Sequence, residues 1–331
     1  MIENITVETF ENYVFRPIKL SDAQSLYQLS KKARGGLSNL PKTLDQARQM
    51  ILKSTQSFLN LCEPKNKRFL FAIENQKNKI VGISGIKARV GTERPNYSFL
   101  FNNESKYPTL ELFKEYLGPS EIGSLFLSPS HRNQGIGRLL SLSRFLFIRS
   151  FNHHFTTTIT AELRGFLHQN NSSPFWNNLG KKFIDMPFVK ADMLSSIDPF
   201  FIEENFPKKP IYLQLLNPNV LKYIGQVHPF TEPAKKLLLS ENFKPTNQID
   251  IFDGGPKLAC SQSKIRTIKA AKKVMLNDIV MPLEKEPILV CNQKFENFRC
   301  MKVTNKTPIQ KIKQQLRIRE FDSILFVKER P

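Results

Sequence analysis

Arg132-Asn133-Gln134-Gly135-Ile136-Gly137 fits an R/Q-x-x-G-x-G pattern, and its place in the chain gives the pattern chemical meaning. The run Glu121-Ile122-Gly123-Ser124-Leu125-Phe126-Leu127 before it reads as a buried strand that ends at Ser128-Pro129. After it, Leu139, Leu140, Leu142, Phe145, Leu146, Ile148 and Phe151 recur at helical spacing. Backbone amides at a helix start are unpaired and sit at the positive end of the helix dipole, and glycines let that backbone approach a ligand. The loop therefore suits a pyrophosphate such as that of coenzyme A. Six residues alone could equally be an ordinary glycine turn; the order strand, loop, helix favours the phosphate cradle. A dinucleotide fingerprint G-x-G-x-x-G is absent, because Gly135-Ile136-Gly137-Arg138-Leu139-Leu140 lacks the third glycine.

Proton transfer near neutral pH calls for histidine, whose unperturbed pKa is about 6.5. His131, His153, His154, His168 and His228 are the candidates, and residue type alone leaves all five open, since a lone histidine as readily packs or faces solvent. Cys62, Cys260, Cys291 and Cys300 include no CxxC pair, so neither a zinc site nor a disulfide framework is expected. They read as reduced cysteines of a cytoplasmic protein, and no metal site is predicted.

The elements that must position these groups follow from pattern. Tyr13 to Pro17 predicts a strand, with Ser21 as N-cap of a following helix, and Arg68–Glu74 and Lys79–Ile86 predict a hairpin about the turn Asn75 to Asn78. Gly91 to Tyr116 is a polar insertion of no assigned type. Strand 156–162 and helices near 174–179 and 233–239 follow, the last with Thr231 as a candidate cap. The stretch Lys264 to Lys273 reads as an amphipathic connector. After about Gln262 the texture changes to short β-like runs at 288–290, 298–303 and 324–327, with a helix near 308–316.

Composition bounds the rest. A chain of 331 residues exceeds the roughly 100 to 200 of a typical domain, so one large or two unequal domains are expected. No window approaches ~18 apolar residues, and the first ten carry acids where a signal peptide needs basic residues, so neither membrane insertion nor export is expected. The net charge of +20 would attract anions, but the lysines are spread as isolated pairs, and no nucleic-acid-binding signature accompanies them. A nucleic-acid partner is therefore not predicted.

The cofactor loop between strand and helix resembles that of the GCN5-related N-acyltransferases. Longer segments resemble the arginine N-succinyltransferase family: Phe15-Arg16-Pro17, Gly36 to Pro41, Leu125 to Pro129, Leu140 to Phe147, Ala161-Glu162-Leu163-Arg164-Gly165, Ser173-Pro174-Phe175-Trp176, Ile224-Gly225-Gln226-Val227-His228-Pro229, and Ile249 to Pro256. Their order is collinear from Val14 to Val327. The resemblance implies transfer of a succinyl group from succinyl-CoA, a co-substrate rather than a resident cofactor, to the α-amine of L-arginine in arginine catabolism. It implies His228 as catalytic proton donor and Leu125 in succinyl-CoA binding. Leu127, Arg132, Gln134, Gly135 and Gly137 complete the expected CoA site. Glu162 and Asp253 are candidates for the guanidinium, as Asp192 and Asp250 are, and Arg164 is a candidate for the succinyl carboxylate. Direct transfer from a thioester needs no protein nucleophile, so the cysteines are set aside.

The expected architecture is α+β: a GCN5-related N-acyltransferase-like mixed sheet with helices over residues 1–261, of which 1–13 are an N-terminal extension, and a small β-rich C-terminal domain over 262–331. Rival readings are an acyl-CoA-dependent enzyme acting on ornithine or another amine, and a non-catalytic basic binding module. Homo- or hetero-oligomerisation stays open.

Overall fold

The computed structural model describes residues 13–33, 40–104, 106–132, 134–198, 200–276 and 287–328. The expected N-terminal extension, apart from Tyr13, and most of the Gly36 to Pro41 segment lie outside the described residues, as does Asn133. In chain order the strands are β1 (Val14–Pro17), β2 (Arg68–Glu74), β3 (Ile80–Lys87), β4 (Asn96–Asn102), β5 (Thr109–Glu115), β6 (Ser120–Leu127) and β7 (Thr158–Glu162). They continue as β8 (Ile211–Tyr212), β9 (Lys244–Ile249), β10 (Pro256–Ser261), β11 (Lys272–Met275), β12 (Ile288–Cys291), β13 (Cys300–Val303) and β14 (Ser323–Lys328). Among the described residues they form one sheet in the order β11-β14-β12-β13-β1-β2-β3-β6-β7-β10-β9-β4-β5-β8. Its pairs are antiparallel except β6 with β7. With helices on its faces the sheet is the expected α+β architecture.

Local chemistry explains the predicted elements. The β2–β3 turn closes because Asn75 Oδ1 accepts from the amides of Lys77 and Lys79, and Asn78 takes a left-handed φ of 55°. The helix Ile136–Ser150 buries Leu139, Leu140, Leu142, Phe145, Leu146 and Ile148, the spacing that predicted it. Around it, Phe71 and Phe147 meet Phe58, Phe69 and Phe298 edge to face, and Phe147 stacks on Phe295.

Ser21 does not cap the first helix. A single 3₁₀ turn at Leu20–Asp22 intervenes, and Asp22 precedes the helix Ala23–Lys32. Asp22 is drawn in by Arg16, which lies within 2.7 Å of both Asp22 and Glu74 and joins β1, β2 and the helix start.

The C-terminal strands continue the main sheet, since β13 pairs with β1 through Val14↔Met301 and Phe15↔Cys300. Strand alternation divides their side chains. Ile288, Val290, Met301 and Val303 pack with Ile312 and Leu316 of the helix Ile309–Leu316 in a core of their own. Leu289, Cys291 and Cys300 face the other way, into the main core. Cys291 and Cys300 are register partners, and both are free thiols. Burial pushes the Cys300 thiol up to about 12 and Cys291 upward as well, which leaves neither nucleophilic.

The unassigned insertion is the β4–β5 hairpin. It extends the far edge by pairing Phe99 with Ile249 of β9. A second apolar cluster, with Phe99, Trp176, Phe188, Phe206, Ile251 and Phe252, packs short helices beside it.

Candidate active site

The centre of the sheet is built to open. β6 and β7 pair only at Ser120↔Ile159 and Glu121↔Thr160, although β6 runs on to Leu127 and β7 to Glu162. On its other side β6 bulges against β3: Gly85 faces Gly123 and Ile83 faces Phe126, so three steps of β6 span two of β3. Ser124 absorbs the extra residue with a φ of 50°. Past the bulge, Ser128 N donates to Val81 O at 2.8 Å, which turns the backbone groups of Phe126 and Ser128 towards β3. By alternation those of Leu125 and Leu127 point into the gap. Consistently, the Leu127 carbonyl is off the ladder and accepts from Arg132 Nε at 3.2 Å.

The loop after β6 meets the helix Ile136–Ser150 at Gly135, whose φ of 73° is a left-handed conformation that glycine adopts without steric cost. At Gly137 an added Cβ would meet nothing within 4 Å, so the first turn faces open space. Gln134 is half-buried and Gly135 exposed. Arg132 is exposed and folds back over the Phe126 ring, 5.9 Å from its centroid.

Four sequence segments far apart in the chain meet on the other wall. Val227 bridges to Gly165, His228 N donates to Arg164 O at 2.9 Å, and Gly225 N donates to Gly254 O at 2.8 Å. Ser173 Oγ donates to Phe252 O at 3.0 Å while accepting from Trp176 N. Arg164 and Gly165 follow directly on the end of β7 at Glu162, so the His228 segment lies beside the β7 side of the gap.

His228 is half-buried. Its Nδ1 accepts from Phe230 N at 3.1 Å, which places the proton of the neutral ring on Nε2; no partner for Nε2 occurs among the described residues. Burial first, then the Arg164 charge, hold its pKa below the ordinary value. The other histidines are differently placed. His154 stacks on Phe295 at 4.6 Å, and burial followed by Lys67 brings it down to about 4. His153 lies against His154, His168 is exposed beside Tyr223, and His131 bonds Ser130 Oγ next to the glycine loop.

The acids differ in their partners. Asp253 is 1% exposed, its Oδ1 accepts from Gly255 N at 2.8 Å and its Oδ2 lies 3.1 Å from Arg164 Nε. Oδ1 serves the turn and Oδ2 faces Arg164. Arg164 lies against Asp253 and 4.8 Å from the Phe188 ring, and its buried Nε makes no hydrogen bond. Asp250 takes the Phe252 and Asp253 amides on Oδ1. Burial and then Asp253 raise its pKa. Burial also raises Asp192, against Arg164. Glu162 is different: 36% of its side chain is open, it accepts from Asn96 Nδ2 at 3.2 Å, and burial followed by Glu121 raises its pKa. Two further residues at the gap were not among the expected site residues: Ser124, the bulge, and Glu121, a glutamate in an otherwise apolar strand, which is the signal that marks it in the sequence.

A bulged strand splayed from its parallel neighbour, followed by a glycine loop and a long helix, defines an N-acyltransferase of the GCN5-related kind. The chain belongs to the arginine N-succinyltransferase family: the family model "Arginine N-succinyltransferase beta subunit" matches residues 13–267. It is similar to the arginine N-succinyltransferase of Enterobacter sp. (strain 638), 38% identical over 312 residues, covering 89% of this chain and 90% of that relative. It is also similar to that of Photorhabdus laumondii, 37% identical over 302 residues and 87% and 88% of the two chains. Among solved structures, the arginine/ornithine succinyltransferase subunit AI from Pseudomonas aeruginosa superposes with a TM-score of 0.84 at 27% identity, covering 96% of this chain and 99% of that one. The protein is an acyltransferase.

Proposed function

We propose that the protein transfers the succinyl group of succinyl-CoA to the α-amine of L-arginine, giving N2-succinyl-L-arginine and CoA. The observation that carries the reading is the gap between β6 and β7, flanked by the glycine loop that follows β6 and by the His228 segment beside the end of β7. The amides of the first helical turn and glycines 135 and 137 receive the pyrophosphate, with Gln134 and Arg132 beside them. Leu125 and Leu127 offer backbone groups to the pantetheine and thioester. The amine nitrogen attacks the thioester carbon, the C–S bond breaks, the nitrogen sheds protons and the sulfur gains one. His228, charged at this step, protonates the departing sulfur through Nε2–H and returns to the neutral ring.

A cleft of about 640 Å³ opens at the bulge, lined by Gly123, Ser124 and Glu121, with Lys53, Arg68 and Arg89 towards its mouth. Lys53 and Arg68 are paired with Glu93, while Arg89 bonds a carbonyl and keeps its charge, which favours a dicarboxylic acyl group over acetyl. No helix among the described residues is long and apolar enough to cross a membrane. We place the enzyme in the cytoplasm, where its acyl donor is made available, with homo- or hetero-oligomerisation open.

The reaction is tested by thiol release from succinyl-CoA with L-arginine, which should exceed release with acetyl-CoA, ornithine or lysine. Equal rates with acetyl-CoA would remove the succinyl assignment, and equal rates with ornithine the arginine preference. Thiol release at background with every donor would support the binding-module rival.

The cradle is tested separately with Gly137→Val. Valine is a better helix residue than glycine and its side chain enters open space, so folding should be unaffected. It would stand where the pyrophosphate must approach the backbone, and calorimetry should read a CoA Kd raised about tenfold or more, equivalent to ~1.4 kcal/mol. An unchanged Kd would show that the phosphates lie elsewhere.

A further inference from the structure

We infer that Glu121 is the specificity residue that receives the guanidinium of the amine substrate, a role that rests on the proposed acyl transfer at the β6–β7 gap. Glu121 is 4% exposed and lines the cleft, one residue before Ile122 and two before the bulged segment. Its Oε1 is held by Lys87 Nζ at 2.6 Å. Its Oε2 is buried and without a hydrogen-bond partner, and it is the one carboxylate oxygen in that condition among the described residues. A buried carboxylate oxygen left empty costs free energy that a protein recovers only when a donor arrives.

Among the groups packed directly with it, carboxylates outnumber cations. Glu115, Glu121 and Glu162 face Lys87 and Lys257: Lys257 Nζ lies 3.1 Å from Glu115 and 3.8 Å from Glu162, and Lys87 takes Glu121. Three carboxylates against two ammonium groups leave one negative charge over. Beyond them, Asp250 and Asp253 face the single cation Arg164, so the next layer does not supply the missing positive charge. The cleft also carries Lys42, Lys53, Arg68, Arg89 and Arg94: Glu93 takes Lys53 and Arg68, Arg89 and Arg94 bond the carbonyls of Leu117 and Ser195, and none of them is paired with Glu121.

Reach agrees. Three residues of strand separate Glu121 from Ser124, roughly 10 Å at 3.3 Å per residue. An extended arginine side chain spans roughly 7 Å from α-nitrogen region to guanidinium, and the glutamate side chain covers the remainder. A guanidinium offers several donors in one plane, so it can fill Oε2 while meeting Glu162, whose pKa is raised by burial and then by the Glu121 charge across the strand pair. An ammonium on a shorter stem would fill the charge but not both contacts.

The test compares L-arginine with L-citrulline, its uncharged isostere, as acyl acceptors. The unmutated enzyme should prefer arginine in kcat/KM, and Glu121→Gln should lower kcat/KM for arginine roughly 10- to 100-fold, mostly through KM, while citrulline changes little. CoA affinity should stay as it was. Glu121→Asp should recover part of the preference, and it carries the same comparison if the glutamine variant does not fold. Equal losses on arginine and citrulline would overturn the inference in favour of a role at the α-amine, and an undiminished arginine preference in Glu121→Gln would overturn it outright. An unmutated enzyme that acylates both amines equally would overturn it while leaving the acyltransferase reading in place; one that acylates no amine from succinyl-CoA would end both.

Discussion

His228→Ala should lower kcat by about 10² to 10⁴, the usual contribution of a positioned acid-base group, while CoA binding stays nearly intact. The residue is fixed by main chain: its amide is tied to Arg164 O and its Nδ1 to the Phe230 amide, so only Nε2 is available to substrate. Protonating Nδ1 would break the Phe230 bond, and the Arg164 charge nearby opposes an imidazolium, so the ring stays neutral to lower pH than a free histidine. A proton donor works in its protonated form, so kcat should fall as pH rises through that lowered pKa, and this limb should vanish in the variant. Measuring kcat and CoA Kd on the same preparation separates chemistry from binding. If the alanine enzyme keeps more than roughly a third of wild-type kcat, the proton travels by another route. His131→Ala, beside the glycine loop, should touch binding if anything.

The CoA half of the site was legible because it is local. A buried run, a proline stop, two glycines and a helical repeat lie within thirty residues, and each has a one-dimensional signature. Neither the opening of β6 from β7 nor the bulge at Ser124 that accompanies it has such a signature: serine seldom takes a left-handed φ, and nothing in its neighbours announces it. The β4–β5 hairpin escaped for another reason. Tyr97-Ser98-Phe99-Leu100-Phe101 lies in a hairpin whose outer partners, β9 beside β4 and β8 beside β5, are more than a hundred residues away, so its half-buried pattern reads as polar insertion. The acids stayed open because carboxylate chemistry does not say which cation it meets. Asp253 meets Arg164 of its own chain, whereas Glu121, passed over inside an apolar strand, is the carboxylate left with an empty oxygen.

Gly255→Ala should cost stability and catalysis together, and the two losses test whether the turn before β10 positions His228. A Cβ at Gly255 would stand 2.1 Å from Leu163 O, 2.5 Å from Gly165 N and 2.8 Å from Asp253 Oδ1, all below the 3.0 Å that real Cβ atoms respect. Two of the three are main chain, so rotamer changes cannot relieve them; the turn must move away from the β7 extension. Overpacking of this kind costs about 3 kcal/mol or more where backbone has to shift. The displaced segment is the one that carries Asp253 to Arg164 and Gly254 O to Gly225 N, and Arg164 O in turn anchors the His228 amide. Movement there therefore reaches the proton donor through two links of main chain, while the glycine loop that follows β6 is not in contact with it. Thermal unfolding should show the lower stability, and kcat of the folded fraction should fall by at least tenfold, since misplacement by about 1 Å can cost ~10² in rate. CoA affinity should be close to that of the unmutated enzyme. A Gly255→Ala protein with unaltered kcat would mean that His228 keeps its position without this turn, and a lowered CoA affinity would mean that the two sides of the gap are coupled.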